Sequence, residues 1–408
     1  MMGERRLVVP YKPVGTTYGL AEMDALRDCL SSDETLSCGR QRDAFEQEFA
    51  ELVGAEHAIS VANCTVALEL ATYLCDLRDG DEVIATCQSY QATVTPLLCG
   101  PAAVRFCDID PETLNISVRS VERLLTSRTR AIYLVHYGGE MADLTAIMAL
   151  VRDLEVVVIE DCAHALGASR DGAAPGSTGR IGCFSFQSYK NISTLGEGGM
   201  ITTNDDDWAS RLRRIRSIEP DATYRPRPVS QLGSHLIPDD GVFRHEKEAY
   251  TSDCLDVRHP GTNSTLPEPA AAVGRVQLRR LPELVARRQA IAESLDDALG
   301  ELPGISVQTR SPRSPSAHHL YTFFVEPGAA VPQAELLRGL LDAGIEIQQR
   351  YFPIHLLAEW RRLGNDVGLC PVAENTWFHR QVNLPIYPQL TNDQLDYMID
   401  VLNRALRP

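Results

Sequence analysis

The sequence predicts an α/β protein: a mostly parallel mixed sheet flanked by helices, followed by a smaller C-terminal α+β domain. Three observations predict it. Between residues 58 and 204, short apolar runs alternate with segments of helical spacing, the pattern of strands joined by right-handed crossovers. One of these runs, residues 156–159, is wholly apolar and is followed by Glu160 and Asp161. A strand buried on both faces, with a polar function at its carboxyl end, reads this way. After a long helical stretch over about residues 267–299, the apolar runs become short again, at 320–325, 345–347 and 384–386. Helices are expected between and after them, at about 332–343 and 392–405. The natural division is therefore a large domain over residues 1–260, including an N-terminal segment, and a connecting helix with a small domain over residues 261–408.

Composition narrows the function. With 408 residues and 44% apolar content the chain can bury a large core, and its net charge of -16 argues against nucleic acid or an anionic membrane as partner. The N-terminal residues lack the apolar core of a signal peptide, and no later run reaches membrane-spanning length, so a cytoplasmic location is expected. Eleven cysteines are scattered without a C-x-x-C pair, many inside apolar runs such as Leu98-Cys99 and Phe106-Cys107. They suit small buried hydrophobes in a reducing compartment and indicate neither zinc nor a disulfide framework.

In chain order, residues 17–31 carry helical spacing. Cys38-Gly39-Arg40 breaks the chain before a helix over 41–52, which Gly54 ends as a C-cap. The strand at 58–62 runs through Asn63, Cys64 and Thr65 into a helix, so that backbone N–H groups and a positive dipole end face an anion. Thr65 and the amide of Val66 are the expected phosphate contacts, although Thr65 alone would also serve as a helix cap. A strand at 82–85 leads to Tyr90, placed either over a ligand or in the first turn of a helix expected to run to Gly100. Further strands are expected at 104–110 and 131–139. Residues 200–204 form a closing strand, 207–216 a helix, and 219–260, rich in proline and polar residues, a long excursion over the site or a dimer contact.

Two stretches carry the chemistry. Lys190 lies between aromatic and hydroxyl residues (Phe184, Ser185, Phe186, Ser188, Tyr189) and a turn of Gly196, Gly198 and Gly199. This setting suits an amine whose pKa is lowered by partial burial beside a phosphate-bearing cofactor. Lys190 is the candidate Schiff-base lysine. Asp161, at a strand's carboxyl end, can hold a pyridine nitrogen protonated, although taken alone it also reads as a helix N-cap. A lysine paired with an acid is a signature of pyridoxal 5'-phosphate sites.

With these stretches in view, the chain resembles, over nearly its whole length, the fold-type-I pyridoxal-phosphate aminotransferases. The similar members aminate keto-sugars and keto-cyclitols in antibiotic and surface-polysaccharide biosynthesis. The resemblance extends to Phe45 and Glu46, to the 104–110 strand, to His136, Gly138 and Asp143, and to Gln277-Leu278. It implies a transfer of nitrogen from L-glutamate or L-glutamine to a ketone, with Lys190 and Asp161 catalytic. It further implies Thr65 and Ser185 on the phosphate, Tyr90 stacked on the ring, and His164 on the cofactor's phenolic oxygen. Asn263 would reach the phosphate of a neighbouring subunit, giving a homodimer with shared sites. The sequence departs from the pattern at four places: Cys64 stands where glycine is typical, His164 where glutamine is commoner, Thr265 at a usual arginine and Arg350 at a usual histidine. Loss of the arginine at Thr265 leans the acceptor slightly toward a nucleotide-free or otherwise weakly anionic ketone. His164 keeps open an aminohydroxybenzoate-synthase-like activity. Lys190 argues against the sugar dehydratases, which usually carry histidine there, and the retained trio Lys190, Asp161 and Ser185 against a non-enzymatic regulator.

Overall fold

The computed structural model describes residues 7–12, 14–217, 261–309 and 313–406. The excursion expected at 219–260 therefore lies outside the described residues.

Seven strands, β1 (His57–Val61), β2 (Glu82–Thr86), β3 (Ala103–Cys107), β4 (Thr129–Val135), β5 (Val157–Asp161), β6 (Ile181–Ser185) and β7 (Gly199–Thr203), form one sheet in the order β1-β7-β6-β5-β4-β2-β3. Pairings from β6 through β5, β4 and β2 to β3 are parallel, and only β7 runs against its neighbours β1 and β6. The inner parallel strands β2, β4, β5 and β6 are buried on both faces over most of their length, which is why they read as mainly apolar runs, whereas the edge strand β3 is half-buried. Helix α1 (Leu20–Leu30) lies on the long helix Glu268–Gly300, and α2 (Arg40–Val53), α3 (Cys64–Leu74), α4 (Val118–Leu124), α5 (Leu144–Val151) and α6 (Asp206–Arg216) cover the sheet. Gly54 takes up the left-handed conformation that ends α2, with φ 71°. Phe49 of α2 packs edge-on to Phe184 of β6 and to Phe186 just after it, and Phe45 lies tilted against Phe186, with ring centroids 4.9–5.6 Å apart.

The 33-residue helix α7 (Glu268–Gly300) leads to a second sheet of β8 (Ile305–Val307), β9 (Tyr321–Val325) and β10 (Gln381–Leu384), all antiparallel. This sheet is accompanied by α8 (Gln333–Asp342) and α11 (Asn392–Leu406), whereas α9 (Ala358–Arg361) and α10 (Pro371–Asn375) pack on the first sheet beside β3, Trp360 edge-on to Phe106. The first part of α7 packs with the α2 core, whereas Ile291, Leu295 and Leu299 belong to the core around β9 and α11. On the ground of the two sheets we propose the division at 260/261. The N-terminal arm nonetheless pairs with the second part, since Val9 bridges Ile345 and the Tyr11 amide donates to Glu346 at 2.7 Å. Among the described residues no helix is long and apolar enough to cross a membrane.

Two local expectations are corrected. The segment after Tyr90 forms two 3-10 turns, Gln91–Thr93 and Thr95–Leu97, in place of one helix to Gly100. Pro96 lacks an amide hydrogen and Val94 leaves the helical region at φ -120°. Residues 345–347 contribute an isolated bridge and no strand, because their partner is the short N-terminal arm.

Arg288 ties the parts together. Its side chain is 1% exposed, and it donates to the carbonyls of His318 (3.0 Å), Ile386 (3.0 Å) and Gly15 (2.6 Å). Burial pulls its pKa down to about 10. Replacing it by methionine orphans three buried acceptors. Arg288→Met is expected to lose about 3 kcal/mol of stability in urea unfolding; a loss below about 1 kcal/mol would show that these bonds are dispensable.

Candidate active site

The parallel strands deliver their functional residues to one edge, beyond their carboxyl ends, where open α/β sheets bind ligands. Asn63, Cys64 and Thr65 follow β1, Ser89 and Tyr90 follow β2, Asp161 and His164 end β5, and Ser185 ends β6. Tyr189 and Lys190 follow in the loop toward β7. These residues, with Arg350 and Tyr351 from the small domain, line a cleft of about 530 Å³.

Lys190 is half-buried. Desolvation lowers its pKa to about 8; Asp161 opposes this and Arg350 reinforces it. Its loop is held down by close backbone packing. Gly15 donates to Ser188 O at 2.7 Å, and a Cβ on Gly15 would lie 2.0 Å from Tyr189 O, so only glycine fits.

Asp161 is buried, and burial raises its pKa despite its hydrogen bonds. Oδ2 accepts from Thr93 Oγ1 at 2.6 Å and Oδ1 from the Ala163 amide at 3.0 Å, which fixes the carboxylate's orientation. The N-cap-like bond is therefore present and is only one of its contacts.

At the start of α3 the expectation for Val66 needs correction. Its amide donates to Asn63 Oδ1 at 3.0 Å, an ordinary N-cap, and Val66 does not line the cleft. The amides of Cys64 and Thr65, the first two of the helix, have no partner among the described residues. Cys64 is a helical residue without positive φ, so the absence of glycine there costs nothing. Gly199 of β7 lies against this turn: a Cβ there would stand 2.6 Å from the Asn63 carbonyl carbon. The orphan amides, the helix dipole and Ser185 make an anion cradle next to Lys190.

His164 is buried between two rings, stacked on His319 (centroids 4.4 Å) and Tyr351 (5.5 Å). The Gly138 amide donates to its Nδ1 at 3.4 Å, and burial holds its pKa well below the usual histidine value. The neutral ring therefore carries its proton on Nε2, which lies 3.2 Å from Tyr351 Oη. Tyr90 is 55% exposed at the mouth, its ring 6.1 Å from that of Tyr351. Asn263 is exposed and outside its own chain's cleft, beside Ser264, whose carbonyl accepts from the Ala62 amide at 2.7 Å.

Thr93, His319 and Tyr351 are the residues that sequence reasoning missed. Thr93 was within reach, as a hydroxyl in the turn after β2. His319 and Tyr351 lie more than 150 residues after His164; His319 carries no local pattern, whereas Tyr351 belongs to the stretch 349–355 that resembles the family's, without a role assigned to it.

The residues present fit a phosphate-bearing pyridine aldehyde: a lowered amine, a buried acid and an anion cradle share one cleft. The sheet and this lysine–acid pair define the class, a pyridoxal-phosphate enzyme of fold type I. The chain matches the DegT/DnrJ/EryC1/StrS aminotransferase family over residues 17–403. It is 32% identical over 411 residues to the spore coat polysaccharide biosynthesis protein SpsC of Bacillus subtilis (strain 168), covering 100% of this chain and 99% of that one. To GDP-perosamine synthase of Vibrio cholerae it is 31% identical over 375 residues, 92% of this chain and 93% of that one. The solved aminotransferase TlmJ from Streptoalloteichus hindustanus superposes with a TM-score of 0.81 at 30% identity, covering 97% of this chain and 98% of that one. The chain belongs to the DegT/DnrJ/EryC1/StrS family of pyridoxal-phosphate-dependent sugar aminotransferases.

Proposed function

We propose that this aminotransferase moves an amino group from L-glutamate or L-glutamine to a ketone on a sugar, in natural-product or polysaccharide biosynthesis. The observation that carries the reading is the placement of Lys190 and Asp161 in one cleft at the carboxyl ends of the strands. Pyridoxal phosphate, when bound, supplies an electron sink for the carbon that gains or loses nitrogen. Lys190 Nζ would hold the cofactor covalently and, as a free amine, would move the proton at the reacting carbon. A pKa of about 8 suits that task near neutral pH. Asp161 would keep the ring nitrogen protonated. The Cys64 and Thr65 amides, the Thr65 hydroxyl and Ser185 would hold the phosphate, His164 Nε2–H would serve the phenolic oxygen, and Tyr90 would cover the ring.

Two similar proteins bear names that contain a nucleotide sugar, GDP-perosamine synthase and dTDP-4-dehydro-2,3,6-trideoxy-D-glucose 4-aminotransferase. They favour a nucleotide-linked keto-sugar over the nucleotide-free or otherwise weakly anionic acceptor, such as a keto-cyclitol, suggested by Thr265. A half-reaction decides: the enzyme is loaded with donor nitrogen, the donor removed, and each ketone added while visible absorbance and product mass are followed. Recovery of the starting spectrum with keto-inositols alone would reverse the preference, and recovery with neither class would refute the acceptor assignment.

We further propose a homodimer in which Asn263 completes the partner's site, in keeping with its exposure outside its own cleft. Mixing inactive Lys190→Ala with inactive Asn263→Ala subunits is expected to recover about a quarter of wild-type sites, since random exchange makes half the dimers mixed and each of those has one intact site. No recovery after verified subunit exchange would refute shared sites.

A further inference from the structure

Arg350 is a fixed cation in the cleft for which the roles above have no use. Its main chain is pinned on both sides: the amide donates to Asn383 Oδ1 at 2.9 Å, and the carbonyl accepts from Tyr137 Oη and Gln381 Nε2. All three partners are buried. The guanidinium lies within 5.4–5.8 Å of the ring centroids of Tyr11, Tyr189 and Tyr351, a cage that holds the cation and shields it from water. Its guanidinium donates to the Gln348 amide oxygen and also meets the Tyr351 hydroxyl. No carboxylate pairs with it among the described residues, although a guanidinium offers five donors. Of the lining residues only Lys190 and Arg350 are cationic, and Lys190 is committed to the covalent chemistry.

An amino-acid donor entering this cleft must lose part of the hydration of its carboxylate, which an apolar or neutral wall would not replace. Tyrosine rings and amides surround the place, so the compensation has to come from a charged group. We infer that Arg350 binds a carboxylate of the amino donor through the guanidinium donors that Gln348 and Tyr351 leave free. The inference rests on the aminotransferase reading and adds to it that the donor is selected as an anion, from the small-domain side of the cleft. The planar fork matches a carboxylate bidentately, which a lysine at the same position cannot reproduce.

The test uses holoenzyme with Arg350→Gln and Arg350→Lys, both checked for normal cofactor loading and melting. Binding of glutarate, a donor-sized dicarboxylate without an amine, is measured by calorimetry, and the donor half-reaction is followed with L-glutamate and with the uncharged-tail amine 1-phenylethylamine. Arg350→Gln is expected to weaken glutarate binding and the L-glutamate half-reaction by about 100-fold. The 1-phenylethylamine half-reaction and the return half-reaction with the ketone, which feel Arg350 only through the Lys190 amine, should fall far less, and Arg350→Lys should recover part of the L-glutamate loss. Unchanged glutarate binding in Arg350→Gln, or an equal loss with the amine lacking a carboxylate, would overturn the inference. Should wild type respond to no amine at all, the donor chemistry proposed above would fail, while the glutarate titration would still decide whether Arg350 is a carboxylate site.

Discussion

Lys190→Ala is expected to take up no covalent cofactor and to lower turnover by about 10⁴-fold, the scale of a lost nucleophile and general base together. Borohydride reduction of wild type followed by peptide mapping should place a pyridoxyl group on Lys190; a label on another lysine, or on none, would refute the assignment. The amine's titration supplies a second check. Its pKa of about 8 lies below that of an ordinary lysine because the cleft desolvates the ammonium form. Reaction of the cofactor-free protein with limiting pyridoxal phosphate should therefore accelerate as pH rises through about 8, not above 10. Removing a negative neighbour disfavours the ammonium further, so Asp161→Asn should move the midpoint down. Removing a positive one favours it, so Arg350→Gln should move the midpoint up. Shifts in the opposite directions would mean that these groups do not face Nζ.

Asp161→Asn is expected to cost about 10²–10³-fold in turnover, the size seen when one preorganised electrostatic partner is lost, while the fold survives. Asparagine keeps an oxygen for the Ala163 amide, and its NH₂ can donate to Thr93 Oγ1, so the turn after β5 retains its bonds. The stability consequence has a definite sign. Burial raises the carboxyl's pKa in the folded chain, so its contribution is complete below the unfolded value and is lost as pH rises through the folded one. At pH 7 the cofactor-free protein carries that ionisation cost, and the asparagine variant does not. Cofactor-free Asp161→Asn should therefore melt no lower than wild type at pH 7, even though it is catalytically impaired. A variant that loses activity only in proportion to a fall in melting temperature would show Asp161 to be structural alone.

The sequence by itself determined the parallel sheet, the cleft at its carboxyl edge, and the lysine and acid that occupy it. These are local facts: an apolar run followed by an acid, a strand entering a helix through small polar residues, and a lysine before a glycine turn each constrain their own backbone and burial. Even Gly54 as the end of α2 follows from the conformation that glycine alone adopts cheaply. Only the tertiary structure decided which groups complete the site. Thr93 became Asp161's partner because β2 and β5 end on the same edge, and His319 and Tyr351 came to flank His164 from another domain. The Val66 amide was lost to the phosphate cradle because Asn63 turned its side chain back to cap α3. Arg350 acquired its place in the cleft from Tyr137 of one sheet and Gln381 and Asn383 of the other, residues more than 200 and about 30 positions away. Periodicity and caps report a residue's own dihedrals and its exposure. Convergence of side chains depends on how crossovers and domain packing fold distant segments onto one another, and that packing leaves no local trace in the chain.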